Sequence, residues 1–258
     1  MNVSPKVSII IPYHRKKKFF FKTIKSLLNQ SFKSFEIIII YDDYNHDELD
    51  YVNNISKKSS KIKLIINKKN LGPGLSRNKG LYISKGEYIA FCDADDLWNR
   101  DKLKIQIKFM ENNKLNFSHT SYHVIDKEGK KIGSFKIKKK INYQELLKSC
   151  DIGLSTVMVR RSFFKNNLFS SLKTKEDYLL WIKSIKYLNT LKSINKELVY
   201  WRYLKNSLSS STIQKLSDAF RLYKNHLNFS FLFSIYCVFR LSFYALIKKL
   251  LYIRNFNE

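Results

Sequence analysis

The sequence predicts an α/β protein built on a mostly parallel sheet, and three observations carry that expectation. Short β-branched runs alternate with stretches of helical periodicity through the first half of the chain. Acidic residues gather just after two of those runs, at the sheet edge where open α/β folds hold their ligands. With 258 residues, 44 % of them apolar and 15 % aromatic, the chain can bury a sizeable core.

Val7 to Pro12 is a β-branched run closed by proline, the pattern of a strand buried on both faces. Phe20, Ile24, Leu27 and Leu28 then fall on one helical face, and Asn29 to Ser31 can end that helix. Glu36 to Tyr41 reads as a second buried strand, Asp47 to Ser59 as a second helix and Ile62 to Ile66 as a third strand. Such alternation implies right-handed crossovers between parallel strands. The unit repeats: Asn70 to about Ser84 is glycine-rich at its entry and then helical, Gly86 ends it, and Tyr88 to Phe91 is a fourth strand. Leu103, Ile107 and Met110 mark another helix. Beyond it the pattern is mixed: a strand from Phe117 to Val124, a hairpin at Glu128 and Gly129, and a short strand from Ser155 to Val159. Trp181, Ile185 and Leu188 mark a helix beginning near Glu176 and Asp177, and a strand from Leu198 to Tyr203 closes a main domain of residues 1–210. Residues 211–258 form a helical appendage, with Leu232, Ile235, Tyr236, Phe239, Phe243, Leu246 and Leu250 at helical spacing.

The 48 Lys and Arg against 21 Asp and Glu give a net charge of +27, which suits anionic surroundings. The excess is nearly all lysine and is spread through every segment, whereas nucleic-acid readers cluster arginine for bidentate contacts. A nucleic-acid partner is therefore not expected. Cys92, Cys150 and Cys237 are far apart and form no C-x-x-C pair, so neither a disulfide framework nor a zinc site is suggested. The amino-terminal residues run straight into the first strand with no apolar stretch of signal-peptide length, which points to the cytoplasm.

In a chain with so few acids, Asp93, Asp95 and Asp96 stand within four positions. On extended backbone Asp93 and Asp95 project to the same side, and adjacent carboxylates repel unless a proton or cation intervenes; a hard divalent ion, Mg²⁺ or Mn²⁺, fits. The plainer reading is that Asp95 or Asp96 caps a helix begun at Leu97. Asp42 and Asp43 end the second strand, either as solvated helix-start acids or as acceptors for a base or ribose. Arg77 is a surface arginine or a fork for phosphate oxygens at a helix entry. Glu176 and Asp177 either complement a helix dipole or supply a general base. Gly72, Gly74 and Gly80 lack G-x-G-x-x-G spacing, and no phosphate-binding G-x-x-x-x-G-K-[ST] loop occurs.

The stretches VSIIIPYHR, SLLNQSF, EIIIIYDD, NLGPGLSRNKG, GEYIAFCDADDLW and KEDYLLWIK, in this order, closely resemble the inverting family 2 glycosyltransferases with the GT-A fold, over about residues 5–210. The resemblance implies a nucleotide-sugar donor, UDP-linked, with Pro12, Tyr13 and Asp42 around the base and Arg77 approaching the nucleotide or diphosphate. It implies a D-x-D motif in which Asp95 ligates a divalent cation, Mn²⁺ or Mg²⁺, directly and Asp93 faces the ribose or metal waters. It makes Asp177 the catalytic base and puts Glu176 on the side of a glycan or lipid-linked acceptor. Two departures stand out. The family's D-D-G-S is Asp42-Asp43-Tyr44-Asn45 here, and its Y-R-x-H-x-x-S is Trp201-Arg202-Tyr203-Leu204-Lys205-Asn206-Ser207, with no histidine. The Q-x-x-R-W element of processive synthases is missing, which favours transfer of one sugar. Two functional readings follow: an active transferase of cell-surface polysaccharide synthesis, or a catalytically decayed nucleotide-sugar-binding protein of the same fold.

Phe229 to Ile247 is apolar enough to span a membrane, yet Arg240 stands in its middle, and Lys248, Lys249 and Arg254 follow. A helix lying in an anionic membrane interface is the expectation, with packing on the catalytic domain or on a second subunit as the alternative. The expected location is cytoplasmic, peripheral on the inner face of the cell membrane.

Overall fold

A computed structural model describes residues 4–165, 168–188, 190–204 and 211–253. The expected boundary at residue 210, the Lys205-Asn206-Ser207 stretch and Arg254 lie outside the described residues, as do the side chains of Lys249 and Leu250. Strand β1 (Val7–Tyr13) leads through helix α1 (Lys17–Leu28) to β2 (Phe35–Tyr41), and α2 (Leu49–Ser56) leads to β3 (Ile62–Ile66). Helix α3 (Pro73–Ile83) returns the chain to β4 (Tyr88–Phe91), which pairs with β1 on the side away from β2. These four strands run parallel in the order β3-β2-β1-β4. The order reverses direction at β1, so the loops after β1, β2 and β4 open on one crevice.

The second half extends the sheet with mixed pairing. After β5 (Leu97–Trp98) and α4 (Lys102–Asn112) come β6 (Phe117–Ile125), β7 (Lys131–Phe135), β8 (Lys140–Ile141), α5 (Tyr143–Lys148), β9 (Met158–Arg160), α6 (Glu176–Leu188) and β10 (Leu191–Arg202). Among the described residues the order continues from β4 through β9, β6 and β10 to β5. Strands β6 and β7 form the expected hairpin, with Gly129 at φ +97° in the left-handed conformation its turn requires.

Leu97 opens strand β5 rather than a helix capped by Asp95 or Asp96, since the helix that follows starts only at Lys102; β8 was not expected either, and three further elements depart from the sequence expectation. Where a strand was expected from Ser155, Leu154–Thr156 is a 3₁₀ turn, and the strand begins at Met158. The Thr156 hydroxyl donates to the Gly153 carbonyl at 2.6 Å, a local bond that competes with strand pairing. Strand β10 begins at Leu191 rather than Leu198, because its pairing with β6 shifts register on both sides of Glu197 and the bulges erase the two-residue alternation. Helix α5 was not foreseen, although Asn142 and Glu145 form a reciprocal capping box at its start.

The parallel strands are apolar at successive positions because both faces of the sheet are covered. Val7, Ile9 and Ile11 pack with Phe20, Ile24 and Leu27 of α1, Val52 of α2 and Leu103 and Ile107 of α4. Ile10, Ile89 and Phe91 face the other way, into a cluster with Trp181 and Ile185 of α6. Helices α7 (Thr212–Arg221) and α8 (Phe231–Ile253) join this second cluster through Ala219, Cys237 and Leu241, and the π-helical turn Leu222–His226 between them adds Leu222 and Tyr223. Arg240 donates to the Leu147 carbonyl at 3.4 Å, and Lys248 donates to the Cys150 carbonyl at 3.1 Å and pairs with Asp151. Helix α8 is thus laid along α5 and the loop after it. Its other side is exposed, with Leu232 at 78 % and Phe239 at 72 % relative accessibility.

Candidate active site

The carboxyl ends of β1, β2 and β4 converge on one crevice, and the first turn of α6 closes it. Asp93 and Asp95 follow β4. The Asp93 carboxylate is 36 % exposed and accepts from Arg77 Nη2 at 3.0 Å; that of Asp95 is 14 % exposed and accepts from Lys16 Nζ at 2.6 Å. Burial and the charge of Asp93 raise the Asp95 carboxyl above its ordinary range, against the pull of Lys16. Asp96 does not share the crevice. It is buried, with Oδ2 accepting from the Ser155 hydroxyl at 2.6 Å and Oδ1 from the Arg202 amide at 2.9 Å, and burial pushes its carboxyl well up.

The backbone of this acidic turn is fastened from two sides. Ser155 Oγ accepts the Asp93 amide at 3.0 Å, and Arg202 Nε donates to the Asp95 carbonyl at 2.9 Å. Sequence reasoning missed Ser155, Arg202 and the separate role of Asp96. The Arg202 signal was present in the Trp201-Arg202-Tyr203 stretch, whereas one serine among many gave none.

Arg77 sits at the centre. It is buried on α3, donates from Nη1 to Glu176 Oε1 at 2.6 Å and from Nη2 to Asp93, and leaves Nε without a hydrogen-bond partner. It therefore joins the acidic turn after β4 to the start of α6. Glu176 is buried against it, and Asp177, next along, is half-buried with Oδ1 accepting from the Tyr178 amide at 2.7 Å. Burial raises the carboxyls of both, Glu176 to about 7, because one guanidinium cannot satisfy Asp93, Glu176 and Asp177 together. The segment entering α6 is held by α7: the Thr174 amide and hydroxyl both donate to Asp218 Oδ2 at 2.9 Å, and Lys175 is left-handed at φ +68°.

On the other side of the crevice, Asp42 is buried and accepts from Asn67 Nδ2 and from the Leu71 and Gly72 amides, each at 2.8 Å. Both its oxygens thus order the glycine-rich loop that opens α3. Asp43 takes Arg15 at 2.7 Å, which holds its carboxyl below the usual range. The Tyr13 ring is fully buried, stacked on Tyr41 at 5.6 Å with its hydroxyl bonded to Glu48, while Pro12 is partly exposed above it. The structure thus brings Arg77, Asp93, Glu176 and Asp177 into one connected group and Asp95 beside it. Asp42 and Tyr13 stand apart, engaged with the protein's own groups.

A family model described as glycosyl transferase family 2 matches residues 8–170. The chain belongs to that family. It is 39 % identical over 212 residues, 81 % of this chain and 82 % of the relative, to the Escherichia coli protein named UDP-Glc:alpha-D-GlcNAc-diphosphoundecaprenol beta-1,3-glucosyltransferase WfaP. It is 28 % identical over 96 % of its length to the putative teichuronic acid biosynthesis glycosyltransferase TuaG of Bacillus subtilis, covering 99 % of that protein. An uncharacterised glycosyltransferase of Rickettsia conorii is 42 % identical over 75 % of this chain, and the match spans about a third (32 %) of that longer protein. Among solved structures, Staphylococcus aureus TarS 1-349 in complex with UDP-GlcNAc superposes with a TM-score of 0.70 at 21 % identity, covering 90 % of this chain and 70 % of that one. The mannosyltransferase PcManGT from Pyrobaculum calidifontis in complex with GDP-Man and Mn²⁺ gives 0.64 at 13 % identity, over 89 % and 66 % of the two chains. These likenesses establish the GT-A fold expected from the sequence.

The donor atoms present fit a hard divalent cation. Asp93 and Asp95 are neighbouring carboxylates, the second raised by burial and further by the charge of the first, and among the described residues no third Asp, Glu, His or Cys joins them in a metal-holding group. Two carboxylates would leave the remaining positions of such an ion open, the usual manner of Mg²⁺ and Mn²⁺ binding.

Proposed function

We propose that this family 2 member is an inverting glycosyltransferase that moves one sugar from a UDP-linked donor to a hydroxyl of a lipid-linked glycan acceptor in cell-surface polysaccharide synthesis. The observation that carries the reading is the Arg77 bridge between Asp93 and Glu176, which sets the half-buried Asp177 carboxylate beside the Asp93-Asp95 turn. A binding protein needs no base of raised basicity facing such a turn. The names of the WfaP and TuaG relatives support the donor, the lipid-linked acceptor and the polysaccharide context.

In this reading Asp177 takes the proton of the acceptor hydroxyl as that oxygen attacks the anomeric carbon, and the bond from that carbon to the diphosphate breaks on the opposite face. Burial raises the proton affinity of Asp177, which suits a general base. Arg77 holds Asp93 and Glu176 in place. A divalent cation held by Asp95 and Asp93 would neutralise charge on the leaving diphosphate. The location we propose is the cytoplasmic face of an anionic membrane, reached through the exposed apolar side of α8.

The test is a panel of nucleotide-sugars with Mn²⁺ or EDTA and a lipid-diphosphate-linked sugar acceptor. Asp177→Asn should keep donor affinity and lose transfer by roughly 10²- to 10⁴-fold, the span of general-base catalysis. Equal loss of donor affinity and turnover would make Asp177 a binding residue, and a wild-type protein that binds donor without turnover would favour the decayed transferase.

A further inference from the structure

Lys16 is one of many lysines, and nothing in the sequence singles it out. In the structure it is the residue that reaches across the crevice from β1 to β4. The loop that carries it is pinned on both sides: His14 Nδ1 lies 2.9 Å from the Asp42 carbonyl, Arg15 is left-handed at φ +49°, and the Arg15 side chain is tied to Asp43. The Lys16 carbonyl accepts the Phe19 and Phe20 amides at 2.9 and 3.0 Å, so the residue also starts α1. From this fixed base its ammonium, three-quarters shielded, meets Asp95 Oδ2 at 2.6 Å.

We propose that Lys16 is the resident counter-ion of Asp95, which it yields to the donor's cation, and that the released ammonium then engages the donor diphosphate. The proposal rests on the cation reading of Asp93 and Asp95 given above. Two close carboxylates need positive charge, and the chain supplies it from Lys16 to one and from Arg77 to the other. Arg77 is also committed to Glu176, whereas Asp95 is the sole acidic partner of Lys16 among the described residues. A cation that ligates Asp95 competes with that ion pair. Metal alone has to displace an ammonium that gains nothing in exchange; metal arriving with a diphosphate offers it a new anion beside the amino-terminal end of α1. Metal and nucleotide should therefore bind with positive coupling, and by linkage each strengthens the other to the same degree.

The experiment is Mn²⁺ binding, followed by the paramagnetic resonance of free aquo-Mn²⁺, with and without UDP, for wild type, Lys16→Met, Lys16→Arg and Asp95→Asn. Wild type should bind Mn²⁺ weakly alone and more tightly with UDP. Lys16→Met should bind Mn²⁺ alone at least roughly fivefold more tightly, the upper range measured for exposed ion pairs, and show a smaller gain from UDP. Lys16→Arg should stay close to wild type in both. An unchanged or weaker Mn²⁺ affinity in Lys16→Met, or an unchanged gain from UDP, overturns the proposal; Lys16→Gln provides the same reading if the methionine variant melts early. Asp95→Asn that binds Mn²⁺ like wild type overturns the cation reading itself, a failure distinct from that of Lys16.

Discussion

At the scale of single residues the site is a problem of too many carboxylates for its cations. Arg77 contacts Asp93 and Glu176 directly and lies close enough to Asp177 to oppose its rise. With three anions around one buried guanidinium, a proton is retained, and Glu176, the most enclosed, holds it up to about pH 7. The unfolded chain releases that proton near 4.5, so between those values the folded state binds a proton that the unfolded state has lost. Stability therefore falls as pH rises through this window and levels off above about 7. Glu176→Gln keeps an amide oxygen for Arg77 and removes the titration. Melting temperatures at pH 5 and pH 8 should show a smaller loss for the variant than for wild type, and equal losses would mean that Glu176 is ionised throughout. The acids were legible in the sequence because the chain has few of them. Lys16 was not, because a lysine-rich background hides any one lysine; which acid pairs with which base depends on contacts between residues as distant as Arg77 and Glu176.

At the scale of elements, the parallel half was readable because β1, β2 and β3 are rich in β-branched residues and α1 and α2 each bury one apolar face. The antiparallel half was less so, since a bulged strand such as β10 and a 3₁₀ turn such as Leu154–Thr156 lack a fixed period. Nor could the sequence show how closely α3 meets the approach to α6. A methyl group on Gly74 would lie 2.4 Å from the Ser170 carbonyl oxygen and 3.1 Å from Glu176 Cγ. The glycine is required by that approach rather than by its backbone angles. Gly74→Ala should cost about 1–3 kcal/mol of stability, as overpacking of a tight contact does, and should reduce transfer by shifting Glu176 and Asp177. Chemical denaturation and single-turnover transfer would check the two effects; a variant with wild-type values in both would show that the contact yields without moving the acids.

At the scale of the whole molecule, the carboxy-terminal helices both complete the core and present an exposed apolar side. Asp218 of α7 fixes the approach to Asp177, and Cys237 and Leu241 of α8 fill the core. Cutting the chain before Asn228 would strip those core contacts, so a truncation cannot isolate the outward face. That face carries Leu232, Phe239, Phe243 and Leu246, all exposed, over a segment, Phe231–Lys248, long and apolar enough to cross a membrane. Arg240 and Lys248 are tied to carbonyls of α5 and its following loop, which keeps the helix flat against the domain and favours an interfacial over a spanning placement. Apolar area sinking into the headgroup boundary, with basic residues adding roughly 1 kcal/mol each at an anionic surface, is the attraction expected. Replacing Leu232, Phe239, Phe243 and Leu246 together by serine should abolish sedimentation with anionic liposomes at low salt while leaving the melting temperature and donor hydrolysis near wild type. Undiminished sedimentation of that variant would show that the lysine-rich surface alone holds the lipid and would leave the apolar side of α8 to a protein partner.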